Sequence, residues 1–200
     1  MKMTRMQKRF VNRQEKAKDQ IAKVRQHLER PGMDTIHDVL ELGCGIGVVT
    51  GWLAEAYSMN VHGTDVDPEQ IETARQLQPE TDRLHFSVED AAHVSFDEAS
   101  FDLVLSQFVF HHMADWAGVV GEAARVLRPG GYFMWLDVAF KKTTKRVISP
   151  FMKNFGIYTI EDARTAFETQ GLVELHFESF KLGPFTFYDM LLQKPEEIQA

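Results

Sequence analysis

Cysteine and long apolar runs are scarce in this chain. Its 200 residues include one cysteine, Cys44, which excludes an internal disulfide and a multi-cysteine metal site. No apolar run approaches the ~20 residues needed to span a bilayer, and the N-terminus lacks the apolar centre of a secretory signal. These absences predict a cytoplasmic protein without a transmembrane segment.

Acidic side chains are scarce at the start of the chain. Residues 1–30, here called the basic arm, contain 10 Lys/Arg and 3 Asp/Glu, whereas the remaining residues contain 12 Lys/Arg and 26 Asp/Glu. The net charge of the whole chain is −7. Because nucleic-acid binding depends largely on cations that neutralise phosphates, the acidic body makes nucleic acid an unlikely partner. The basic arm fits a solvated or frayed helix, a surface for an anionic partner or membrane, or an organelle-targeting segment.

Strand-like and helix-like patterns alternate along the rest of the chain. The predicted strands cover residues 37–42, 60–64, 84–88, 101–106, 132–137, 172–180 and 185–193. Predicted helices cover residues 47–57, 67–77, 116–127 and 161–170, after a helix within the arm. This order predicts an arm in 1–30 and one α/β domain in 31–200, with a doubly wound, Rossmann-like, seven-stranded sheet and helices on both faces. The hairpin expected around Gly183-Pro184 predicts one antiparallel edge strand in an otherwise parallel sheet.

The seven residues ELGCGIG, from Glu41 to Gly47, are the most informative part of the sequence. A strand, a glycine-rich loop and a helix in succession form the place where open α/β sheets bind nucleotide-like ligands. Asp65 lies 18 positions beyond Gly47, close to the offset of about 20 at which a second strand presents a carboxylate to ribose. The loop lacks the Gly-Lys-Ser/Thr ending of a P-loop. It also lacks the G-x-G-x-x-G dinucleotide pattern, because the sixth position is Val48 when counted from Gly43 and Thr50 when counted from Gly45. The pattern E-x-G-x-G-x-G suits a ligand without phosphate, whose aminoacyl and sugar parts lie over the loop.

Four motifs in order resemble the class I S-adenosylmethionine-dependent methyltransferases, especially the small-molecule group called methyltransferase type 11. These motifs are VLELGCGIG, GTDVDPEQIETAR, EDAAHVSFDEASFDLVLSQFVFHHM and ARVLRPGGYFMWLD. The resemblance covers about residues 36–138 and continues more weakly through the hairpin. It implies that residues 31–200 form a methyltransferase domain that binds S-adenosylmethionine, releases S-adenosylhomocysteine and methylates a small molecule by in-line displacement.

The resemblance also implies which residues contact the cofactor. The glycines would approach its methionine portion, Glu41 would help to hold its ammonium group, and Asp65 would accept hydrogen bonds from both ribose hydroxyls. Val66 would pack on the adenine, Asp90 would accept from the adenine amino group, and the Ala91 N–H would lie nearby. Ser106 and Gln107 would line the methionine end, and Cys44 would be a small buried residue of the loop rather than a nucleophile. The full set is Glu41, Gly43, Cys44, Gly45, Gly47, Asp65, Val66, Asp90, Ala91, Ser106 and Gln107.

Candidates for proton transfer follow the fourth and fifth predicted strands. His111 and His112 follow the fourth strand, where the family often carries histidine, and Asp137 ends the fifth. A general base accelerates transfer by about 10²–10⁴-fold when the nucleophile must lose a proton. We expect His111, His112 or Asp137 to act as the general base. The alternative for the histidines is packing against a neighbouring loop. The pair next to Asp115 lacks a third ligand at a recognised spacing, so we predict no metal site.

The methyl acceptor is expected to meet the basic arm and the segment after the fifth strand, where the family makes most of its acceptor contacts. The arm would then cover the active site. Residues 141–146, KKTTKR, precede Phe151 and Phe155, and cations beside aromatic rings suit an anionic, partly apolar acceptor. An exposed loop is the alternative for this segment.

Three functions remain open from the sequence. The motifs favour a small-molecule methyltransferase. One alternative is a cofactor-binding partner or regulatory protein without its own turnover. The other is a protein or nucleic-acid methyltransferase, against which the acidic body and the missing Asn/Asp-Pro-Pro-Tyr/Phe motif argue.

Overall fold

The structure, a computed structural model, describes residues 14–182 and 185–196. A single sheet contains seven strands: β1 (Asp38–Leu42), β2 (Asn60–Asp65), β3 (Leu84–Val88), β4 (Phe101–Gln107), β5 (Leu127–Val138), β6 (Val173–Leu182) and β7 (Phe185–Gln193). The helices are α1 (Gln14–Leu28), α2 (Val48–Tyr57), α3 (Pro68–Leu77), α4 (Trp116–Val126), α5 (Lys142–Ile148) and α6 (Ile160–Thr169). Two 3₁₀ turns cover Met33–Thr35 and Phe110–His112.

The strand order β3-β2-β1-β4-β5-β7-β6 confirms the predicted doubly wound fold. Strands β1 to β5 pair in parallel, so their carboxyl ends meet at one edge of the sheet. Buried apolar residues lie on both faces of the sheet. One cluster includes residues of α4 and α6, and the other includes residues of α1, α2 and α3. The helices therefore cover both faces, as parallel sheets require.

The antiparallel strand lies one position inside the edge. Strand β7 runs antiparallel to both β5 and β6, and it fits between them. The sequence correctly predicted one antiparallel strand in a terminal hairpin but placed it at the edge itself. In the structure, α6 carries the chain across the sheet so that β6 runs parallel to β5 and forms the edge. The chain then returns as β7 into the space between them.

Capping residues explain where two of the helices begin. Asp67 caps α3 by accepting from the Glu69 N–H at 3.0 Å, and Pro68 occupies the first turn, as predicted. Thr159 and Asp162 form a capping box at the start of α6.

Helix α5 lies within the segment that was predicted to be irregular. It escaped prediction because none of its residues is buried, and hence no apolar periodicity marks it.

Helix α1 belongs to the basic arm, whose residues 1–13 lie outside the described residues. Val24 in α1 is 1% exposed, and the buried His27 places its Nε2 2.7 Å from Oδ1 of Asp189 in β7. Lys23 Nζ lies 2.6 Å from Oε2 of Glu178 in β6. These contacts fasten α1 to the sheet, so the solvated-helix alternative does not describe this part of the arm.

Among the described residues, no helix has both the length and the apolar character needed to cross a membrane. The cytoplasmic location stays a prediction.

Candidate functional site

The loop between β1 and α2, residues 43–47 and here called the glycine loop, holds its three glycines in the left-handed region. The φ angles of Gly43, Gly45 and Gly47 are 73°, 56° and 74°, values that other residues rarely adopt. A Cβ on Gly43 would collide with Val109, and a Cβ on Gly47 would collide with Phe86. A Cβ on Gly45 would meet no atom of the described residues within 4 Å. Packing therefore requires two of the glycines, while the main chain of Gly45 has no side chain of the described residues packed over it.

Asp65 ends β2 beside the glycine loop. Its Oδ2 accepts a hydrogen bond from the Gly45 N–H at 3.0 Å, and its Oδ1 accepts one from the Asp67 N–H at 2.9 Å. The carboxylate thus joins the loop after β1 to the loop after β2 and fixes the main chain of Gly45. Because each carboxylate oxygen can accept more than one hydrogen bond, Asp65 can hold this main chain and the hydroxyl groups of a ligand together.

Glu41 lies buried under the glycine loop. The Thr50 hydroxyl, in the first turn of α2, donates to Glu41 Oε2 at 2.5 Å. Burial raises the pKa of Glu41 from its ordinary value of 4.5 to about 7; the hydrogen bond from Thr50 opposes this rise, and the charge of Asp65 adds to it. No sequence motif indicates Thr50 as a partner of Glu41. The expected contact of Glu41 with an ammonium group stays a prediction.

Cys44 fills a small space in the glycine loop. Its main-chain N–H donates to the Thr64 carbonyl at 2.8 Å, and the side chain is 9% exposed. Burial raises the pKa of the Cys44 thiol well above its ordinary value, and the nearby Glu41 and Asp65 carboxylates add to this rise. A thiol with a raised pKa is a poor nucleophile, which agrees with a packing role.

The residues expected around an adenine lie after β2 and β3, at the same edge of the sheet. Val66 directly follows Asp65 and is 45% exposed, so its side chain is accessible at this edge of the sheet. Asp90 is largely exposed, and its Oδ1 accepts from the Ala92 N–H at 3.0 Å within its own turn. Ala91 is buried. Their contacts with a ligand stay predictions.

Ser106 and Gln107 end β4, next to β1 in the sheet. Both side chains are buried, and neither Ser106 Oγ nor Gln107 Oε1 has a hydrogen-bond partner among the described residues. Gln107 Nε2 donates to the main-chain carbonyl of Gln20 in α1 at 3.2 Å. Buried polar atoms are nearly always paired in folded proteins, so these two oxygens mark a place for a polar ligand or water.

His111 and Asp137 form a dyad. His111 Nδ1 lies 2.5 Å from Asp137 Oδ1, and Asp137 Oδ2 accepts from the Phe110 N–H at 2.7 Å. Asp137 is completely buried, whereas His111 keeps 22% of its side chain exposed. The structure thus brings together two of the three residues expected to carry proton transfer, one from the turn after β4 and one from the end of β5.

His112 has a different environment. Its ring centroid lies 4.0 Å from that of His111. Burial, followed by the neighbouring His111, lowers the pKa of His112 to about 4, so this ring is neutral near pH 7. Within residues 14–182 and 185–196, no three His, Cys, Asp or Glu side chains cluster in a way that could hold a metal ion.

A row of aromatic side chains after β4 was not predicted. Phe108 follows β4 with a φ of 59°, a strained value for a residue with a Cβ. Its ring packs edge-on against Phe187 with centroids 5.6 Å apart, and Phe187 stacks on Phe180 at 5.5 Å. Phe187 pairs with Val138, which follows Asp137 in β5. The row joins β4 to the hairpin, and no sequence spacing indicates such a contact.

The profile of the family described as "Methyltransferase domain" matches residues 40–135. The chain is 35% identical over 140 residues to "Methyltransferase GfsG" of Streptomyces halstedii, covering 68% of this chain and 50% of that protein. It is 39% identical over 109 residues to the 2-methyl-6-phytyl-1,4-hydroquinone methyltransferase of Synechocystis, covering 53% of this chain and 34% of that enzyme. The chain thus spans half or less of the length of these curated relatives.

A solved structure shares the fold. Phosphoethanolamine N-methyltransferase 2 of Haemonchus contortus, in complex with S-adenosyl-L-methionine, matches with a TM-score of 0.73. The match covers 89% of this chain and 53% of the other, with 18% identity. At this identity, the likeness shows the fold alone.

Proposed function

The chain belongs to the class I S-adenosylmethionine-dependent methyltransferases, and from this membership we propose that it transfers a methyl group from S-adenosylmethionine to a small molecule. The observation that carries the proposal is the hydrogen bond by which the buried Asp65 carboxylate holds the main chain of Gly45, a glycine that no other described residue approaches on its Cβ side within 4 Å. This combination offers a close approach to backbone and, beside it, an acceptor for sugar hydroxyls.

The residues at the strand ends fit the cofactor. Asp65 would accept from the ribose hydroxyls, Val66 would cover one face of the adenine, and Asp90 with the Ala91 N–H would bind the adenine edge. Ser106 Oγ and Gln107 Oε1, for which the described residues provide no hydrogen-bond partner, fit the polar methionine end. Glu41 and Thr50 would act through the glycine loop, since both are buried beneath it. When bound, the cofactor supplies an electrophilic methyl group on a sulfonium.

We assign the general base to His111, with Asp137 as the residue that positions it. Asp137 accepts the Nδ1 hydrogen bond and so fixes the tautomer in which Nε2 takes a proton from the acceptor. The carboxylate also stabilises the imidazolium that forms. His112 is a poorer candidate, because its pKa of about 4 makes it a weak base near pH 7.

The acceptor is proposed to be partly apolar and anionic. The rings of Phe108, which follows β4, and Phe187, which pairs with Val138 at the end of β5, support an apolar contact. The cations of residues 141–146 support a negative group. The hydroquinone methyltransferase among the relatives acts, by its name, on a ring with a long apolar tail.

Calorimetric titration with S-adenosylhomocysteine tests the cofactor site. The wild-type chain is expected to bind, and Asp65→Asn is expected to bind at least about tenfold more weakly, because it loses a charge-assisted acceptor. Asp97→Asn is a matched control, since Asp97 is an exposed acid outside the site. A folded wild-type chain that does not bind would refute the proposal.

Turnover needs a separate measurement. A panel of small acceptors, incubated with methyl-labelled cofactor, is expected to show label in hydroxylated, partly apolar compounds. Tight cofactor binding without label transfer to any acceptor would instead favour the regulatory alternative.

A further inference from the structure

Helix α5 and the turn after it expose apolar side chains to solvent. None of the residues of α5 is buried. Val147 is 66% exposed and Phe151 is 86% exposed. A single short helix has little stability of its own in water, and an exposed phenylalanine leaves a large apolar area unburied. This surface therefore has the properties of one that a partner covers.

All the charged side chains of the same region are cationic. Residues 141–155, here called the cationic segment, contain four lysines and one arginine and no acidic residue, in a chain whose net charge is −7. Lys145 pairs with Asp162, with Nζ and Oδ2 2.6 Å apart. Among the described residues, the other four cations of the segment form no ion pair within 4 Å. The partner that complements this surface is anionic.

The apolar and cationic side chains occupy different sides of the helix. Val147 lies in the last turn of α5, and Phe151 lies in the turn after it, where its N–H donates to the Ile148 carbonyl at 2.9 Å. Lys142 and Arg146 are four residues apart in α5 and share one side of the helix, whereas Val147 is five residues from Lys142 and lies on another side. A basic helix with an exposed apolar side is typical of segments that lie in the headgroup region of a membrane.

Two main-chain hydrogen bonds place the cationic segment beside the dyad. The Phe140 N–H donates to the Tyr158 carbonyl at 2.8 Å, and the Gly156 N–H donates to the His111 carbonyl at 3.2 Å. The segment thus leaves the sheet just after Asp137 and returns next to His111. Whatever covers the segment lies close to the mouth of the site.

We propose that the cationic segment docks on a membrane surface that contains anionic lipids. Val147 and Phe151 enter the boundary between headgroups and acyl chains, and Lys142 and Arg146 lie among the anionic headgroups. Surface binding is independent of methyl transfer. If the proposed function also holds, docking brings the dyad to the layer where an anionic, partly apolar acceptor would reside.

Vesicle co-sedimentation of the full chain tests this proposal. The probes are vesicles of pure phosphatidylcholine and vesicles of phosphatidylcholine mixed with phosphatidylglycerol. The test variant is Arg146→Gln/Phe151→Ala. The control is Arg83→Gln/Leu77→Ala, which changes the same residue properties at exposed positions near the opposite edge of the sheet.

The wild-type chain is expected to bind the anionic vesicles, and salt is expected to weaken binding. The loss of one cation lowers affinity about fivefold, and the loss of one buried phenylalanine lowers it about tenfold, so the test variant is expected to bind about 50-fold more weakly. The control is expected to match the wild type. Titration with S-adenosylhomocysteine checks that each variant keeps its fold and separates this result from the cofactor proposal.

Three outcomes would overturn the proposal. The first is equal binding to neutral and anionic vesicles. The second is undiminished binding by the test variant, which would move the contact to another basic region. The third is a dimer, seen by sedimentation equilibrium without vesicles, that the test variant abolishes. In that case a second copy of the chain covers the surface.

Discussion

Replacing the buried Glu41 by glutamine is expected to change how stability depends on pH. Burial raises the pKa of Glu41 to about 7 in the folded chain, against 4.5 when it is solvated. A carboxyl group whose folded pKa is raised keeps its proton in the native state at pH values where the unfolded state has lost it. Its contribution to stability is therefore complete below about pH 4.5 and declines as the pH rises through about 7.

The size of this effect follows from the shift. One pKa unit corresponds to about 1.4 kcal/mol, so the rise from 4.5 to about 7 amounts to about 3 kcal/mol of unfolding free energy. Glutamine has nearly the same shape and can accept the Thr50 hydrogen bond, but it does not ionise. Glu41→Gln is therefore expected to gain about 3 kcal/mol relative to the wild type between about pH 4.5 and about pH 8.

Urea unfolding of the ligand-free chain, measured at a series of pH values, gives the required free energies. Glu55→Gln is the matched control, because Glu55 lies on the exposed side of α2. The control is expected to show the pH profile of the wild type. Parallel profiles for the wild type and Glu41→Gln would refute the reasoning, since they would mean that Glu41 titrates alike in the folded and unfolded chains.

Three further substitutions test separate parts of the molecule. Gly45→Ala is expected to cost about 1–2 kcal/mol of unfolding free energy through backbone strain. Because its methyl group would lie where the cofactor is proposed to approach the main chain, calorimetry should also show weaker binding of S-adenosylhomocysteine, and unchanged affinity would contradict the assigned position of the loop. Asp137→Asn is expected to slow label transfer by about 10²–10⁴-fold with cofactor affinity retained, and an unaltered rate would remove the dyad from catalysis. Arg128→Met breaks the contacts of Nη1 with Asp38 and Asp102, at 2.8 and 2.6 Å, and is expected to cost about 1 kcal/mol in low salt and less in high salt. A loss that does not depend on salt would point to packing instead.

Local signals allowed much of the fold to be predicted. The predicted bounds of β3 and β7 agree with the structure, because turn residues and apolar runs mark both ends of each strand. The start of α3 was predicted from Asp67 and Pro68, whose capping chemistry depends on neighbours in sequence. The position of β7 between β5 and β6 could not be predicted in this way, because it depends on pairing between distant strands.

The candidate site also contains residues that could be predicted from local sequence motifs and residues that required the structure. The glycine loop and Asp65 follow from short motifs, and the structure places them in contact. The choice between His111 and His112 required the structure, because only the fold shows that Asp137 reaches one ring and that the other is buried. Phe108 gave no signal at all, since its strained backbone and its contact with Phe187 arise from tertiary packing.

The two hydrogen bonds at the base of the cationic segment have an evolutionary consequence. Phe140 donates a main-chain hydrogen bond to Tyr158, and Gly156 donates one to His111, so both ends of the segment between them are fixed to the domain. Their number and composition can diverge between descendants of a common ancestor without disturbing the strands below. A grafting experiment could exploit the same separation, by exchanging the segment between paralogues while leaving the strands and the glycine loop unchanged.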